Sequence, residues 1–526
     1  MKQQNHKFGR YVSANKDSSR WADSEEIKNA STVAHINIET DDCSGGGIPI
    51  ISDGSTAYVD NSDTHTLIFG STGSKKTRLF GMPLINILAM TGESFITTDP
   101  KGELYDKTSG LVAAKGYKTI VLNFRDLNQS DFWNPLALPY QLYHSGKTEE
   151  AISLINDLVT SLAEQQKETT KDSYFIDLAA SQALANMLFF IDTALPEEAN
   201  IYNFINFFFS TCTPDYTQNL ADNVADGSIA SINYKSVLTN KAVEKTFANV
   251  SSCVATMLNP FIVRKTLCQV LSQSSFDIRK LGESKTAIYI IVPDEKTTLH
   301  FLVTMFIKQV YETLISEAHQ QKNGKLPVRL NFVLDEFCNI PEIRDMPSMI
   351  SAARSRNMRF FLIVQSLWQL KQKYREDAET IKGNCDNLVF LTSREYDLLK
   401  EISNLCGFSS FQDADGGIKS QPLISVSELQ RFKKERGETL ILHGRHYPFV
   451  TELPDIDEYK FKFYAPKKTK EHQLPQIMRY DVNKVLDEIK SKKRPIPFSV
   501  EVCGKETYYE KAKEQPKKDI KDIWEW

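Results

Sequence analysis

The sequence lacks any sustained apolar run. Its most apolar short stretches, Phe204–Phe209 and Ala287–Val292, fall far short of the roughly 18–20 residues that a membrane-crossing helix needs. The first residues, MKQQNHKFGRYVSANKDSSRW, carry no apolar core of a secretory signal. These absences lead to the expectation of a soluble, cytoplasmic chain. An excess of basic charge is also missing. Lys and Arg number 63 against 67 Asp and Glu, for a net charge of −4. A uniformly basic nucleic-acid-binding shell is excluded, whereas a local basic channel is not. The eight cysteines (43, 212, 253, 268, 338, 385, 406 and 503) form no CxxC pair and no Cys/His cluster at zinc spacing. They read as buried small apolar residues in a reducing compartment. No internal repeat is visible. What is present is ordinary globular composition, 41% hydrophobic, 25% charged and 10% aromatic, which excludes wholesale disorder and fibrous architectures. The 526 residues would suffice for three domains of roughly 150 residues each.

Along the chain, residues 1–60 are polar and rich in Gly, Ser and Asp, and read as an extended arm with a short strand or two. From Thr66 the pattern alternates. Thr66–Phe69, Ser94–Thr98 and Tyr117–Phe124 read as strands, with helical periodicity over Arg78–Met90 and Gly102–Lys115. Strands alternating with helices predict an α/β fold with a mainly parallel sheet. The alternation stops at about Thr148, and helices such as Glu149–Glu164 and Tyr174–Phe190 follow. It resumes with strands at Ala287–Val292, Arg329–Asp335, Arg359–Gln365 and Leu388–Leu391, and a hairpin around Gly444. The expected organisation is an arm (1–60), a split α/β domain (61–147 and 262–455), an all-α insertion (148–261) and a charged tail (456–526) with one helix at Tyr480–Lys490.

Four segments carry chemistry. The first is Gly70-Ser71-Thr72-Gly73-Ser74-Lys75-Lys76-Thr77, between a strand and a helix. This is the context of a P-loop, in which backbone N–H groups cradle phosphate oxygens. Lys76 would neutralise phosphate charge and the Thr77 hydroxyl would ligate Mg²⁺ beside ATP. Lys75 stands where that pattern has its second glycine, a position suited to backbone angles that lysine tolerates poorly. The second is the apolar strand ending in Asp335-Glu336, a Walker B arrangement. Asp335 would hold the Mg²⁺ shell, and Glu336 would orient or activate water. The third is Gln365, closing the next strand, either as a γ-phosphate sensor or as a satisfied strand-end amide. Arg354 and Arg356 precede that strand, either as a trans-acting finger or as a solvated helix face. The fourth is Asp99-Pro100-Lys101-Gly102-Glu103-Leu104, whose role residue chemistry alone leaves open.

Taken in order, these segments resemble the type IV secretion coupling proteins, the VirD4/TraG group of conjugative DNA-transfer ATPases. Gly70–Arg78 is similar to the family's Walker A apart from Lys75, which places Arg78 with the nucleotide-binding residues. Asp99–Leu104 matches its DPKGEL motif, and Trp133-Asn134-Pro135-Leu136 matches the entry to its all-α domain. Asn259-Pro260-Phe261, Leu334–Phe337, Val364–Leu367 and His443-Gly444-Arg445 continue the likeness. The resemblance covers about residues 18–455. It implies a RecA-like P-loop NTPase that assembles as a homo-hexamer. Such a ring takes relaxase-bound single-stranded DNA, or a protein substrate, to the components of a type IV secretion channel. It also implies Arg354 as the trans-acting arginine. Members of the group carry transmembrane helices just before the segment similar to Ser18–Ile27. The expectation here is therefore a form without them, peripheral at the inner face of the cell membrane through a membrane partner. Two other readings stand beside it. One is a substrate-docking adaptor with hydrolysis weakened by Lys75. The other is a RecA-like helicase or a VirB4-type secretion ATPase. Leu271-Ser272-Gln273-Ser274 lacks the glycines of an ABC-type signature.

Overall fold

Short runs of β-branched and aromatic residues, bounded by Gly, Asp and Ser, set the strands of this chain. The computed structural model describes residues 18–167, 173–212, 229–230, 232–235, 244–412, 418–469 and 471–491. They divide into two compact units. One is drawn from Met1–Ile120, Arg279–Asp294 and Tyr311–Lys468, the other from Val121–Ile278, Glu295–Val310 and Thr469–Trp526.

In the first unit a short helix (Ser24–Lys28) and a four-stranded antiparallel sheet stand where the sequence predicts an extended arm with a short strand or two. Strands β1 (Val33–Asn37), β2 (Asp42–Cys43), β3 (Pro49–Ser52) and β4 (Thr56–Asp60) pair in the order β2-β1-β4-β3. Apolar residues were too sparse to signal it, but alternation puts Ala34, Ile36, Ala57 and Val59 on one buried face. Polar side chains then fix this sheet to the rest of the unit. Asn387 donates to the buried Asp60 at 2.6 Å and meets His443 Nδ1 at 2.9 Å, while His443 Nε2 meets Thr32 at 2.8 Å. The fully buried Arg359 pairs with Glu93 at 2.6 Å and donates to the carbonyls of Gly46 and Ser62. Gly47 explains the glycine run, because a Cβ there would lie 1.6 Å from the Asp60 carbonyl oxygen.

The main sheet takes β5 (Thr66–Phe69), β6 (Ser94–Asp99), β7 (Lys118–Asn123), β8 (Thr286–Ile291), β9 (Leu330–Leu334), β10 (Met358–Val364), β11 (Asn387–Phe390), β14 (Glu438–His443) and β15 (Phe449–Glu452). Its order is β15-β14-β11-β5-β10-β9-β6-β8-β7. Pairings from β11 through β5, β10, β9 and β6 to β8 are parallel, and β14 and β15 close one side as an antiparallel hairpin. The central strands are apolar and buried on both faces, as a parallel sheet requires. A separate pair, β12 (Phe408–Gln412) and β13 (Ile418–Pro422), had no counterpart in the sequence reading.

The second unit is helical. Helices span Ala137–His144, Thr148–Lys167, Ser173–Thr193, Ile201–Thr211, Glu244–Ile262 and Lys265–Val270. Their core is aromatic, with Phe189, Phe190, Phe204 and Phe207 in mutual contact and Tyr480 against Phe190 at 5.1 Å between centroids. Trp133 is buried, donates to Gln309 at 2.8 Å and meets the Phe306 ring edge-on. The structure corrects one sequence reading. Tyr174–Thr193, within a single helix, is long and apolar enough to cross a membrane, the one such stretch among the described residues. Its most apolar window is 61% buried within the protein, against the neighbouring helices Thr148–Lys167 and Glu244–Ile262, as in a core helix.

The first part of the expected tail also packs. In the first unit, Lys467 N donates to Ser109 at 3.0 Å and Tyr105 donates to Lys467 O at 2.7 Å. Gly110 allows this approach, since a Cβ there would lie 2.5 Å from the carbonyl oxygens of Tyr464 and Ala465. In the second unit, Tyr480 and Met478 bond to Asn203 ahead of a helix at Val482–Lys490. The basic run from Lys492 and the Trp524/Trp526 end lie outside the described residues.

Candidate functional site

Parallel strands bring their C-terminal ends to one edge of a sheet, where the chain turns into loops. In the first unit that edge collects Gly70 after β5, Gln365 after β10, Asp335 after β9 and Asp99 at the end of β6. The strand order places β10 between β5 and β9, although β10 follows both in sequence. Register pairs Val364 with Phe69 on one side and Leu362 with Leu334 on the other. Gln365 is thus level with Gly70 of the P-loop on one flank and lies one place beyond Glu336 on the other.

The loop after β5 is tightly tied. Gly70 N donates to Val364 O at 3.1 Å, Ser71 N to Thr392 O at 2.9 Å, and Ser74 N to Ser71 O at 3.0 Å. A Cβ on Gly70 would lie 2.4 Å from Ser74 Oγ, so glycine is needed there. The chain then enters a π-helical turn, Thr77–Gly81, that continues as the helix Met82–Thr91. Leu79 N donates to Lys75 O at 2.8 Å, and a helix start following a loop of this kind leaves other N–H groups free for phosphate oxygens. Lys75 has φ of +67°, the left-handed region that favours glycine.

Side chains converge on this loop. The buried Lys76 donates from Nζ to Gly70 O at 2.7 Å and lies 3.6 Å from Glu336 Oε1. Thr77 Oγ1 donates to Asp335 Oδ2 at 2.7 Å. Gln365 bridges the two halves, donating to Glu336 Oε2 at 2.8 Å and accepting from Thr72 Oγ1 at 3.1 Å. Burial pushes the Asp335 carboxyl up to about 6, opposed by the Thr77 hydrogen bond. Glu336 takes φ of +51°, a strained angle for a non-glycine residue. Asp99, left without a role by its chemistry alone, is buried beside this group. Its Oδ2 accepts from Tyr105 N at 2.8 Å, and burial pushes it up to about 6 against those backbone bonds. Thr98 donates to the Asp335 carbonyl at 2.8 Å and joins β6 to the same corner.

The residues fit a nucleotide with Mg²⁺. Thr77 and Asp335 are hard oxygen donors of the kind Mg²⁺ takes. Ser74 Oγ is buried without a partner and lies inside the loop. Gly73, at φ of +76°, leaves open space where a side chain would stand.

Two cations of the P-loop segment are held elsewhere. Lys75 pairs with Asp455 at 3.3 Å, and Arg78 binds Asp455 through two nitrogens and also reaches Asp457. Asp455 is lifted by its partial burial, but bonds from Arg78 and Lys75 outweigh this and hold it below the usual carboxylate range. Sequence reasoning missed these two aspartates because nothing in Pro454-Asp455-Ile456-Asp457 carries a motif. Arg354 is not brought to the P-loop of its own chain. It lies before β10, at the opposite edge of the sheet, with Asp63 at 2.8 Å and Asp386 at 3.4 Å.

A P-loop, an acidic pair on a strand one place removed, and a bridging glutamine between them define a RecA-like P-loop NTPase fold. Among solved structures the chain is similar to the bacterial conjugative coupling protein TrwB, with a TM-score of 0.60 at 14% identity, covering 88% of this chain and 96% of that one. A second TrwB structure, in complex with ADP and Mg²⁺, gives a TM-score of 0.55 at 13% identity over 88% and 99%. The VirD4 protein of Rhizobium radiobacter is 23% identical over 446 residues, 79% of this chain and 59% of its own. The family described as Type IV secretory system Conjugative DNA transfer matches residues 20–437, and the chain belongs to it. It spans about half to three-fifths of the length of its curated relatives, 52% of a Bacillus anthracis protein and 59% of that VirD4.

Proposed function

We propose that the protein is a Mg²⁺-dependent ATP hydrolase that recruits relaxase-bound single-stranded DNA, or a protein substrate, and drives its delivery to a type IV secretion channel. The observation that carries this reading is the Lys76–Glu336–Gln365–Thr72 network closing the P-loop against the Thr77–Asp335 pair. Family membership and the nucleotide complexes of TrwB support the same reading.

Each residue then has a task. Lys76 exchanges the carbonyls of Gly70 and Ser71 for phosphate oxygens. Thr77 and Asp335 are the residues that would hold Mg²⁺, which neutralises charge on the phosphates. Glu336 accepts the proton of the attacking water, and Gln365, already bonded to it, orients that water and reports the γ-phosphate to β10. Arg354 serves a neighbouring copy in trans, within a homo-hexamer. A membrane partner holds the ring at the inner face of the cell membrane.

The test is phosphate release from the purified full chain. Lys76→Ala should abolish it, and Glu336→Gln should lower it about 100-fold or more while nucleotide still binds. Unchanged turnover in folded Lys76→Ala protein would sink the assignment. A second reading, an adaptor that docks substrate without pumping, is favoured by the strained Lys75 backbone and its pairing with Asp455. Absence of DNA-stimulated phosphate release would select it.

A further inference from the structure

The helix Leu367–Tyr374 starts two residues after Gln365 and is tied down at both ends. At its start, Glu395 accepts from Leu367 N at 2.9 Å and Trp368 N at 2.8 Å, and Ser366 Oγ caps Gln369 N. At its end, the Tyr374 ring stacks on Phe337, the residue after Glu336, at 5.3 Å between centroids. Leu367, Leu370 and Tyr374 form its buried face.

The other face carries Trp368, Lys371 and Gln372 at helical spacing i, i+3, i+4, and Arg375 follows at the C-terminal end of the helix. Trp368 is 62% exposed, an unusual position for the largest apolar side chain. Beside it, Lys371, Gln372 and Arg375 line an open groove of about 510 Å³ together with Glu376 and Glu379. Arg375 makes no ion pair among the described residues and adopts φ of +49°, a strained angle. Such strain concentrates at functional positions. Lys371 pairs with Glu379 at 3.1 Å, but Lys382 holds the same carboxylate at 2.6 Å. A phosphate could therefore take Lys371 without leaving Glu379 unpaired.

We propose that this face is a contact for single-stranded DNA, with a base stacked on Trp368 and the adjoining phosphates on Lys371 and Arg375. An exposed indole that any base can cover, next to two cations, is the chemistry of sequence-tolerant strand binding. Because the helix is joined to Gln365 and to Phe337, changes at the γ-phosphate position move this contact directly. The assignment rests on the DNA-handling function proposed above.

The experiment measures binding of a fluorescent oligothymidylate to the full chain by anisotropy across a salt series. Trp368→Ala should weaken binding about tenfold, and Trp368→Tyr should restore most of it. Replacing both Lys371 and Arg375 by Gln should lower the slope of log K against log salt by roughly 1.4. All variants should bind a fluorescent ADP analogue as the wild type does. Wild-type binding with unchanged affinity and slope in the variants overturns this assignment alone. Altered self-association of Trp368→Ala with unchanged DNA affinity also overturns it, in favour of a protein interface. If the wild-type chain binds no oligonucleotide, the single-stranded DNA arm of the proposed function fails and this assignment with it.

Discussion

Lys75 sets backbone preference against charge. A lysine at φ of +67° costs about 1–2 kcal/mol relative to glycine. Its pairing with Asp455, partly exposed, returns at most about 1 kcal/mol. A glycine there would also gain freedom in the unfolded chain, at roughly 0.5–1 kcal/mol. These terms nearly cancel. Lys75→Gly should leave stability in a urea melt within about 1 kcal/mol of wild type, and phosphate release equal to or above it. A large loss of turnover would mean that the lysine charge itself serves the phosphates. At this scale, the P-loop, Asp335, Glu336 and Gln365 were legible because each ends a strand with a residue type that such an edge uses. The acidic partners of Lys75 and Arg78 were not, since ion pairs formed across some 380 residues leave no local pattern.

Among the elements, the helix Ser173–Thr193 shows how burial overrides residue preference. Asp192 stands next to its C-terminus, where a negative charge is disfavoured, and is fully buried. Its Oδ1 accepts from Tyr143 at 3.1 Å and its Oδ2 has no partner. Burial pushes this carboxyl up to about 7 from 3.8, more than the Tyr143 hydroxyl holds it down. The folded chain therefore keeps a proton that the unfolded chain releases above about pH 4. Stability falls as pH rises from about 4 to about 7, and the full cost is present above that window. Asp192→Asn removes this contribution. The stability advantage of the variant over wild type should grow by up to about 4 kcal/mol between pH 4 and pH 8 in urea melts. An advantage that does not change with pH would contradict the assignment. The sequence reading places a helix at Tyr174–Phe190, but does not show how apolar and how buried it is. Sheet β1–β4 was illegible for the opposite reason. Its strands are two to five residues long and rely on Asp60, Asn387, His443 and Arg359 rather than on a long apolar run.

For the whole molecule, the alternation of strands and helices made the α/β class readable, and the run of helices after Thr148 made the interruption readable. The strand order was not, because β10 inserts between two strands that precede it in sequence. That insertion is what places Gln365 between the P-loop and Glu336, so the central geometry of the site belongs to topology. A single chain offers no arginine to its own phosphates from the Arg354 position, which lies at the opposite sheet edge. Turnover should therefore depend on assembly. The most direct test is the ATP hydrolysis rate per chain measured against protein concentration, with and without single-stranded DNA. The account predicts a rate per chain that rises with concentration, rises further with DNA, and disappears in Lys76→Ala. Absence of DNA-stimulated hydrolysis at every concentration would contradict it.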